Sequence, residues 1–358
     1  MADPRVVVTG TGLVCPIAGS ARELAATPAT AGGWPDGWFD PVPDLGRHGW
    51  KYLSPATRFV LAAASRALAD AGLPADPRAL AAAGGAGLPG ATTGVVIGTN
   101  FAAARPLARF DRTVLDEGAH ALSPAEAPTF SVNIPASQVS LRYGLQAFNL
   151  SLTNPVVAGI EAMLTLATAL RTGRAAAGIA GATEQRPDLP TAHPAPGEGA
   201  CCFLLEPAAR AQVRGVRPAA ELAGGFSRFL PGGPEPPPPA GPDSPTGGRW
   251  AAAVGRPLIR LLTGSTGKLP VAVLPGPLPA GPLLAYCTAV CEPLGVELVG
   301  VDYPGADGSL FTVSPLLAVA GLIEEHRGGL VLCASGHGHV AAAYLRPPDP
   351  LAGSPPAG

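Results

Sequence analysis

A strand, turn and helix at residues 149–185 place one residue where chains of this kind present a nucleophile. The segment, NLSLTNPVVAGIEAMLTLATALRTGRAAAGIAGATEQ, predicts a buried strand, a sharp turn, a buried helix and a second buried strand. Asn154 suits the N-cap and Pro155 the first helical position, so Val156 is predicted in the first turn of the helix. A thiol there would have its pKa lowered by the helix dipole. Valine can neither attack nor transfer a proton, so the sequence predicts an inert residue at the reactive position.

The other reactive side chains form no metal or nucleophile motif. The six cysteines lie in apolar contexts without a CxxC pair, and we expect reduced, buried thiols: Cys15, Cys201, Cys202, Cys287, Cys291 and Cys333. Two histidines, His337 and His339, share the glycine loop SGHGHVAAA, where they could bind a metal or act as a base. The alternative is that they are loop residues without a chemical role.

Strands and helices alternate along the chain and must position these residues. The predicted strands are RVVVTGTGLV, TGVVIGT, GEGACCFLLE, KLPVAVLPG, GVELVGVD and GGLVLCASGHG. The predicted helices are SPATRFVLAAASRALADAG, ARPLARFDRTVLDEG, VNIPASQVSLRYG, GPLLAYCTAVCEPLG and SPLLAVAGLIEEHRG. Continuous apolar strands are typical of sheets covered on both faces, which indicates a layered α/β fold. The second half of the sequence repeats the alternation of strands and helices seen in the first half.

Composition limits the classes of partner. The chain has 358 residues, 47% of them hydrophobic, enough for one large core or two fused ones. A net charge of -2 argues against nucleic acid, which needs clustered Lys and Arg. No signal-peptide pattern begins the sequence and no run of about 18 apolar residues appears, so we expect a cytoplasmic protein without a membrane partner. The Pro/Gly tract at 231–249 predicts a solvated loop or disordered linker.

Six segments in order resemble the β-ketoacyl-acyl carrier protein synthases, the ketosynthases of fatty acid and type II polyketide pathways. They are RVVVTGTGLVCPIA, TGVVIGTNF, PAEAPTFSVNIPASQVSLRYGLQAFNLSLTN, AGIEAMLTLATALRTGRAAAGIAGATE, GEGACCFLLE with RGVRPAAELAGG, and CASGHGHVAAAYL. The similarity spans nearly the whole chain and is strongest over residues 1–225. It implies a thiolase-type, five-layered αβαβα fold made of two similar halves.

The resemblance also implies domain limits. Residues 1–225 would form the N-terminal half with the core of the degenerate site, and 250–347 the C-terminal half. Between them, 226–249 would be a Pro/Gly-rich loop, and 348–358 a disordered tail. His337 and His339 would replace residues of the family's glycine-rich loop, and Thr183 and Glu184 would be structural hydrogen-bonding groups.

The family's catalytic positions carry inert residues here. Alignment to the family puts Val156 at the nucleophilic cysteine, Pro275 at the first histidine and Ser309 at the second. Pro304 takes the position of the family's lysine. A chain that keeps the fold and loses these groups resembles the chain-length factor, the ketosynthase-like subunit that pairs with an active ketosynthase in type II polyketide systems. The usual aromatic-pathway factor has glutamine at the cysteine position, so Val156 favours a divergent, reducing or polyene-type system.

The resemblance assigns two further sets of residues. The helix ARPLARFDRTVLDEG would face the acyl tunnel, with tunnel residues Phe101, Ala104, Leu107, Phe110 and Asp111. A plain hydrophobic core is the alternative reading of that helix. The heterodimer interface would contain Asn133, Ser137, Phe148 and Leu150. No cofactor or metal is expected in this chain, because the acyl chain would be carried on the phosphopantetheine of an acyl carrier protein bound by the partner.

Two other functions stay open at this stage. One is a stand-alone acyltransferase or hydrolase of the thiolase fold with a relocated nucleophile, although no Ser/His/Asp or Cys/His arrangement supports it. The other is an inactive relative that serves only as a scaffold.

Overall fold

The computed structural model describes residues 4–27, 37–84, 87–124, 127–187, 197–230, 245–274, 280–302 and 310–348. The strands in these ranges are β1 Val6–Val14, β2 Thr93–Gly98, β3 Asn149–Leu152, β4 Ala177–Glu184, β5 Gly199–Pro207, β6 Ala220–Phe229, β7 Gly267–Leu274, β8 Val296–Gly300, β9 Gly329–Ala334 and β10 His339–Arg346. Every strand predicted from the sequence is present.

Helices separate most of the strands. They are α1 Ala21–Ala26, α2 Val42–Leu45, α3 Pro55–Asp70, α4 Pro77–Ala82, α5 Ala104–Asp116, α6 Ile134–Tyr143, α7 Ala158–Arg171, α8 Ala208–Val213, α9 Pro245–Trp250, α10 Arg256–Leu262, α11 Ala280–Cys291 and α12 Ser314–Glu324. A π-helical stretch, Ala251–Gly255, joins α9 to α10. At the start of α3, Ser54 Oγ accepts a hydrogen bond from the Thr57 N–H as the N-cap, and Pro55 takes the first helical position.

The two halves of the sheet have the same topology. The first runs β3-β2-β4-β5-β1 and the second β8-β7-β9-β10-β6. In each half the three outer strands are parallel and the two inner strands antiparallel. The halves join where β1 pairs with β6 through Val7 opposite Glu221 and Val8 opposite Ala220. This duplication confirms the two similar halves.

Three hydrophobic cores separate the layers. The central core contains α7 and α12, and the two outer cores contain α3 with α6 and α10 with α11. Successive side chains of β5 point to opposite faces of the sheet: Cys201 and Phe203 face the central core, whereas Cys202 and Leu204 face the outer core of the first half. Because both faces are covered, every residue of this strand segment is apolar. The order helix, sheet, helix, sheet, helix is the predicted αβαβα fold.

The structure changes the limits of the Pro/Gly-rich loop. Strand β6 continues to Phe229, so residues 226–229 belong to the sheet and not to the predicted loop. Helix α9 begins at Pro245, inside the stretch predicted to be a loop or linker. Residues 231–244 and all but the first residue of the predicted tail lie outside the described residues. Among the helices described, none is long and apolar enough to cross a membrane.

Candidate functional site: the turn at Val156

Val156 lies at the tip of a tight turn between β3 and α7. The Val157 N–H donates to the Pro155 carbonyl at 2.7 Å, and the Ala158 N–H donates to the Asn154 carbonyl at 3.1 Å. Val156 has a φ of 66°, in the left-handed region. It therefore precedes α7, and the prediction that it lies in the first helical turn is wrong. The reason is the hydrogen bond from the Val157 N–H to the Pro155 carbonyl, which closes a γ-turn centred on Val156 before the helix starts.

Asn154 does not cap the helix as predicted. The cap residue of α7 is Val157, which makes no side-chain capping bond. The Asn154 amide donates instead to both carboxylate oxygens of Glu161, at 3.0 and 2.8 Å. Ser227 Oγ donates to the same carboxylate at 2.6 Å, and the three side chains line a cleft of about 420 Å³ between α7 and β6. Through the Glu161 carboxylate, Asn154 thus links the turn to α7 and to Ser227 of β6, in the other half of the sheet.

The turn is strained, because valine is a poor residue for its conformation. A β-branched residue at positive φ is an outlier that costs on the order of 1–3 kcal/mol. Val156 is 5% exposed and packs in the central core. The backbone thus keeps the sharp elbow that would present a reactive group, while the side chain on it is chemically inert.

A second residue in the left-handed region, Phe311, lies just before helix α12. Phe311 has a φ of 52°, in a turn where the Leu310 N–H donates to Ser314 Oγ at 3.0 Å. This turn touches α7 where Gly159 has no side chain. The two central helices, α7 and α12, therefore start side by side, and each is preceded by a residue at positive φ, Val156 before α7 and Phe311 before α12.

Glu184 joins the loops around the elbow. Its carboxylate accepts hydrogen bonds from the backbone N–H groups of Asn100 and Phe101, at 2.9 and 2.8 Å, and from Thr312 Oγ1 at 2.5 Å. Complete burial raises the pKa of Glu184 to about 7, opposed by these hydrogen bonds. Thr183 Oγ1 donates to the carbonyls of Ala56 and Gly199. The predicted structural role of both residues is confirmed.

No cysteine is poised as a replacement nucleophile. All six thiols are free and buried. Burial raises the pKa of Cys201 and Cys202, as the sequence predicts, and it raises the pKa of Cys291 to about 11. Thiols in this state are protonated at neutral pH and react poorly.

The two histidines of the glycine loop are held as loop residues. The backbone N–H groups of His337 and His339 both donate to Ser335 Oγ, at 3.3 and 3.2 Å. The His339 ring packs 5.1 Å from the Phe229 ring, and His337 is exposed. In the part of the chain that the structure describes, they belong to no group of three metal-ligating side chains.

Residues 25–188 match the family model of the β-ketoacyl synthase N-terminal domain. Over this stretch, just under half of its length, the chain is similar to the β-ketoacyl synthases. A curated relative, 3-oxoacyl-[acyl-carrier-protein] synthase 2 of Rhizobium meliloti (strain 1021), is 26% identical over 276 residues, which cover 62% of this chain and 63% of the relative. The match thus spans just under two thirds of that relative's length.

Solved structures of ketosynthases share the fold over most of the chain. The ishigamide ketosynthase/chain length factor is 22% identical, with a TM-score of 0.70, over 96% of this chain and 99% of that one. AntDE:AntF, a type II polyketide synthase acyl-carrier protein in complex with its ketosynthase bound to the hexaketide, is 18% identical, with a TM-score of 0.72 and the same coverage. At these identities the similarity establishes the fold.

Three of the four positions predicted to be degenerate, Pro275, Pro304 and Ser309, lie outside the described residues. Of the four, the structure describes Val156.

Of the predicted tunnel residues, Ala104, Leu107, Phe110 and Asp111 lie on α5, and Phe101 lies just before it. The helix buries Pro106 and Ala108 against its own chain, whereas Leu107 is 45% exposed and Asp111 is exposed. Phe101, Ala104 and Phe110 are partly buried, and the Phe110 ring lies 6.1 Å from the Phe130 ring. The face is therefore not part of this chain's core, contrary to the plain-core alternative. The Asp111 carboxylate avoids the cost of burial because solvent reaches it.

The predicted interface residues lie on and around an edge strand. Leu150 is 42% exposed on β3, which ends the sheet, and Asn133 is exposed just before α6. Ser137 is partly buried on α6, and Phe148 packs its ring over Gly94. Among the described residues, seven of the twelve exposed large hydrophobic ones fall between residues 107 and 150, and we call them the seam residues: Leu107, Val114, Leu115, Phe130, Val132, Leu141 and Leu150.

Sequence reasoning missed three features of this site. The left-handed Phe311, the Glu161 network and the contact of Glu184 with Thr312 all involve residues far apart in sequence. The only local signal is Gly159, which permits the close approach of the two helices but does not identify what approaches.

Proposed function

We propose that this chain is a non-catalytic ketosynthase-like subunit, a chain-length factor, which pairs with an active ketosynthase and shapes the tunnel that sets polyketide length. The observation that carries the proposal is Val156, an inert side chain on a preserved, strained elbow. A protein that had lost all use for the elbow would be expected to relax it, because glycine or a helical conformation would remove the strain. Retention of this backbone turn at Val156 favours a subunit in which the shape of the site is still used, although its chemistry is not.

The system is a divergent one, of the reducing or polyene type. Valine in place of the glutamine of aromatic-pathway factors supports this assignment. The similarity of fold to the ishigamide ketosynthase/chain length factor is consistent with it. The product would be a chain whose length depends on the space that this subunit leaves at the shared tunnel.

The partner binds along β3 and the seam residues. In the described part of the chain, seven exposed large hydrophobic side chains fall between residues 107 and 150, and one of them, Leu150, lies on the edge strand β3. Exposed apolar patches next to an edge are typical of interfaces, and obligate ones bury on the order of 2,000 Å² or more. The acyl chain would be delivered on the phosphopantetheine of an acyl carrier protein bound by the ketosynthase, with no cofactor held by this chain.

The competing function is a stand-alone acyltransferase or hydrolase with a relocated nucleophile. Among the described residues, the buried, high-pKa cysteines and the exposed His337 offer no nucleophile and base in contact. The two functions differ in whether the chain needs a partner.

A pairing experiment separates them. The chain is co-expressed with an active ketosynthase of a type II polyketide system, and the complex is analysed by affinity capture and by light scattering. We expect a 1:1 heterodimer that Leu150→Arg weakens at least tenfold, because a charge would be buried at the seam. Val213→Arg is the matched control, since Val213 is 88% exposed on α8. A stable, monodisperse monomer in the presence of the ketosynthase would contradict the proposal.

A further inference from the structure

One side of the central helix α7 is left uncovered. Most residues of α7 are buried, but Glu161, Leu164 and Thr165 are only partly buried and Thr168 is exposed. These positions are three or four residues apart, so they form one stripe along the helix. At about 100° per residue, the stripe lies on the opposite side of α7 from Gly159, which contacts the start of α12. The central layer therefore ends at this stripe.

A cleft runs along the stripe and reaches the edge strand. Its volume is about 420 Å³, and it is also lined by Leu152 of β3 and by Ser227 and Arg228 of β6. Leu152 is the last residue of β3 and lies on the same face of that strand as the seam residue Leu150, two residues earlier. The cleft thus continues the surface proposed to bind the partner, from the edge of the sheet into the central layer.

A carboxylate without a counter-charge lies in this cleft. The Glu161 carboxylate accepts hydrogen bonds from two neutral groups, the Asn154 amide and the Ser227 hydroxyl. In the part of the chain that the structure describes, it makes no ion pair. The hydroxyl oxygens of Thr165, Thr168 and Ser227 and the amide oxygen of Asn154 can each accept a further hydrogen bond. The cleft is therefore rich in acceptors, which suits a ligand that carries donors and a positive charge.

The arginine at the rim does not supply that charge. The Arg228 guanidinium donates to the Ser227 carbonyl at 2.8 Å, and the residue is exposed. Water and salt screen an exposed charge of this kind. The negative charge of Glu161 consequently dominates inside the cleft.

We propose that this cleft is a socket for an arginine or lysine side chain of the partner ketosynthase, with Glu161 as the counter-charge. The inference rests on the proposed function and adds the chemistry by which this chain selects its partner. Guanidinium and ammonium groups carry donors only and so match a cleft that offers acceptors. A partner with a neutral or acidic side chain at this place would leave Glu161 covered and unpaired, which is strongly unfavourable.

Removal of the charge tests the socket in the heterodimer with an active type II ketosynthase. Glu161→Gln keeps the size of the side chain, an acceptor for Asn154 and a hydrogen-bonding group for Ser227. We expect the dissociation constant of the heterodimer to rise about tenfold or more, since loss of one member of a covered ion pair leaves the other unpaired. The salt dependence of the dissociation constant, measured by sedimentation at low and high ionic strength, should also decrease.

A second variant fills the socket from within this chain. Thr165→Lys places an ammonium group four residues after Glu161, a spacing at which the two charges attract on one helix. The heterodimer should again weaken about tenfold or more, whereas the melting temperature of the variant chain should be unchanged or higher. A cleft with a purely structural role would not give weaker pairing together with undiminished stability.

Glu221→Gln is the matched control. Glu221 is a partly buried glutamate at the other end of β6, where it pairs with Arg5 at 2.7 Å. This substitution removes the same charge away from the cleft. We expect the wild-type dissociation constant and salt dependence for this variant.

The outcomes separate the socket from the proposed function. Wild-type affinity in a folded Glu161→Gln or Thr165→Lys variant overturns the socket, and so does an equal loss of affinity in Glu221→Gln, because net charge alone would then be the cause. If Glu161→Gln does not fold, Thr165→Lys decides. If the wild-type chain does not pair with an active ketosynthase at any salt concentration, the proposed function itself fails.

Discussion

The β-carbon that Gly159 lacks would lie 2.4 Å from the carbonyl oxygen of Thr312. Real β-carbons do not approach backbone this closely, so any side chain at position 159 must push the starts of α7 and α12 apart. We expect Gly159→Ala to lower the free energy of unfolding by about 1–3 kcal/mol through overpacking.

The control for this substitution is Gly248→Ala. Gly248 lies in α9 with open space around its missing β-carbon, so alanine should be neutral or stabilising by up to about 1 kcal/mol. Chemical denaturation of both variants measures the difference. Equal stability changes would mean that the two helix starts can separate freely.

Removal of strain at the elbow should offset the loss of a buried side chain. Val156→Gly loses about 1.5–3 kcal/mol of burial but relieves about 1–3 kcal/mol of backbone strain, so its net cost should not exceed about 2 kcal/mol and should be close to zero where the two terms are equal. The neighbouring Val157 is fully buried at an ordinary φ of −83°, so Val157→Gly should cost about 2–4 kcal/mol. Denaturant titrations of the two variants check this, and equal losses would remove the evidence for strain.

Protonation of Glu184 should make stability depend on pH. Burial raises its pKa from 4.5 to about 7, so the folded state binds the proton more tightly than the unfolded state does. The resulting stabilisation is fully present below pH 4.5 and is lost as the pH rises through 7, a total of about 3 kcal/mol. The unfolding free energy should therefore fall over this range in the wild type, and this decline should be largely absent in Glu184→Gln. A decline of the same size in the variant would assign it to other groups.

The sequence predicted the layered fold because long apolar strands such as β5 must be covered on both faces. It also predicted inertness at position 156, since residue type alone decides whether a side chain can attack. The predictions that Val156 lies in the first helical turn and that Asn154 caps the helix were wrong. Capping preferences are local, whereas the turn depends on the contact of Asn154 with Glu161 and on the facing helix. Residues that meet only through the fold, such as Glu184 and Thr312, leave no sequence pattern to read.

Helix α5 should influence product length in the assembled complex. Leu107 and Ala104 lie on its outward side, where the partner would cover them. Leu107→Ala should open space and lengthen the product, whereas Ala104→Phe should shorten it, with the heterodimer still forming in both. Mass spectrometry of the products gives the chain lengths. The same length from both variants, with normal assembly, would place the length-determining surface elsewhere.

Reconstituted condensation tests the central claim most directly. Malonyl-loaded acyl carrier protein and a starter are incubated with this chain alone, with an active type II ketosynthase alone and with the two together, and extended products are counted by mass spectrometry. The account predicts defined polyketide only from the pair, because the elbow of this chain carries valine and the ketosynthase lacks its half of the tunnel. Extended product formed by this chain alone would contradict it.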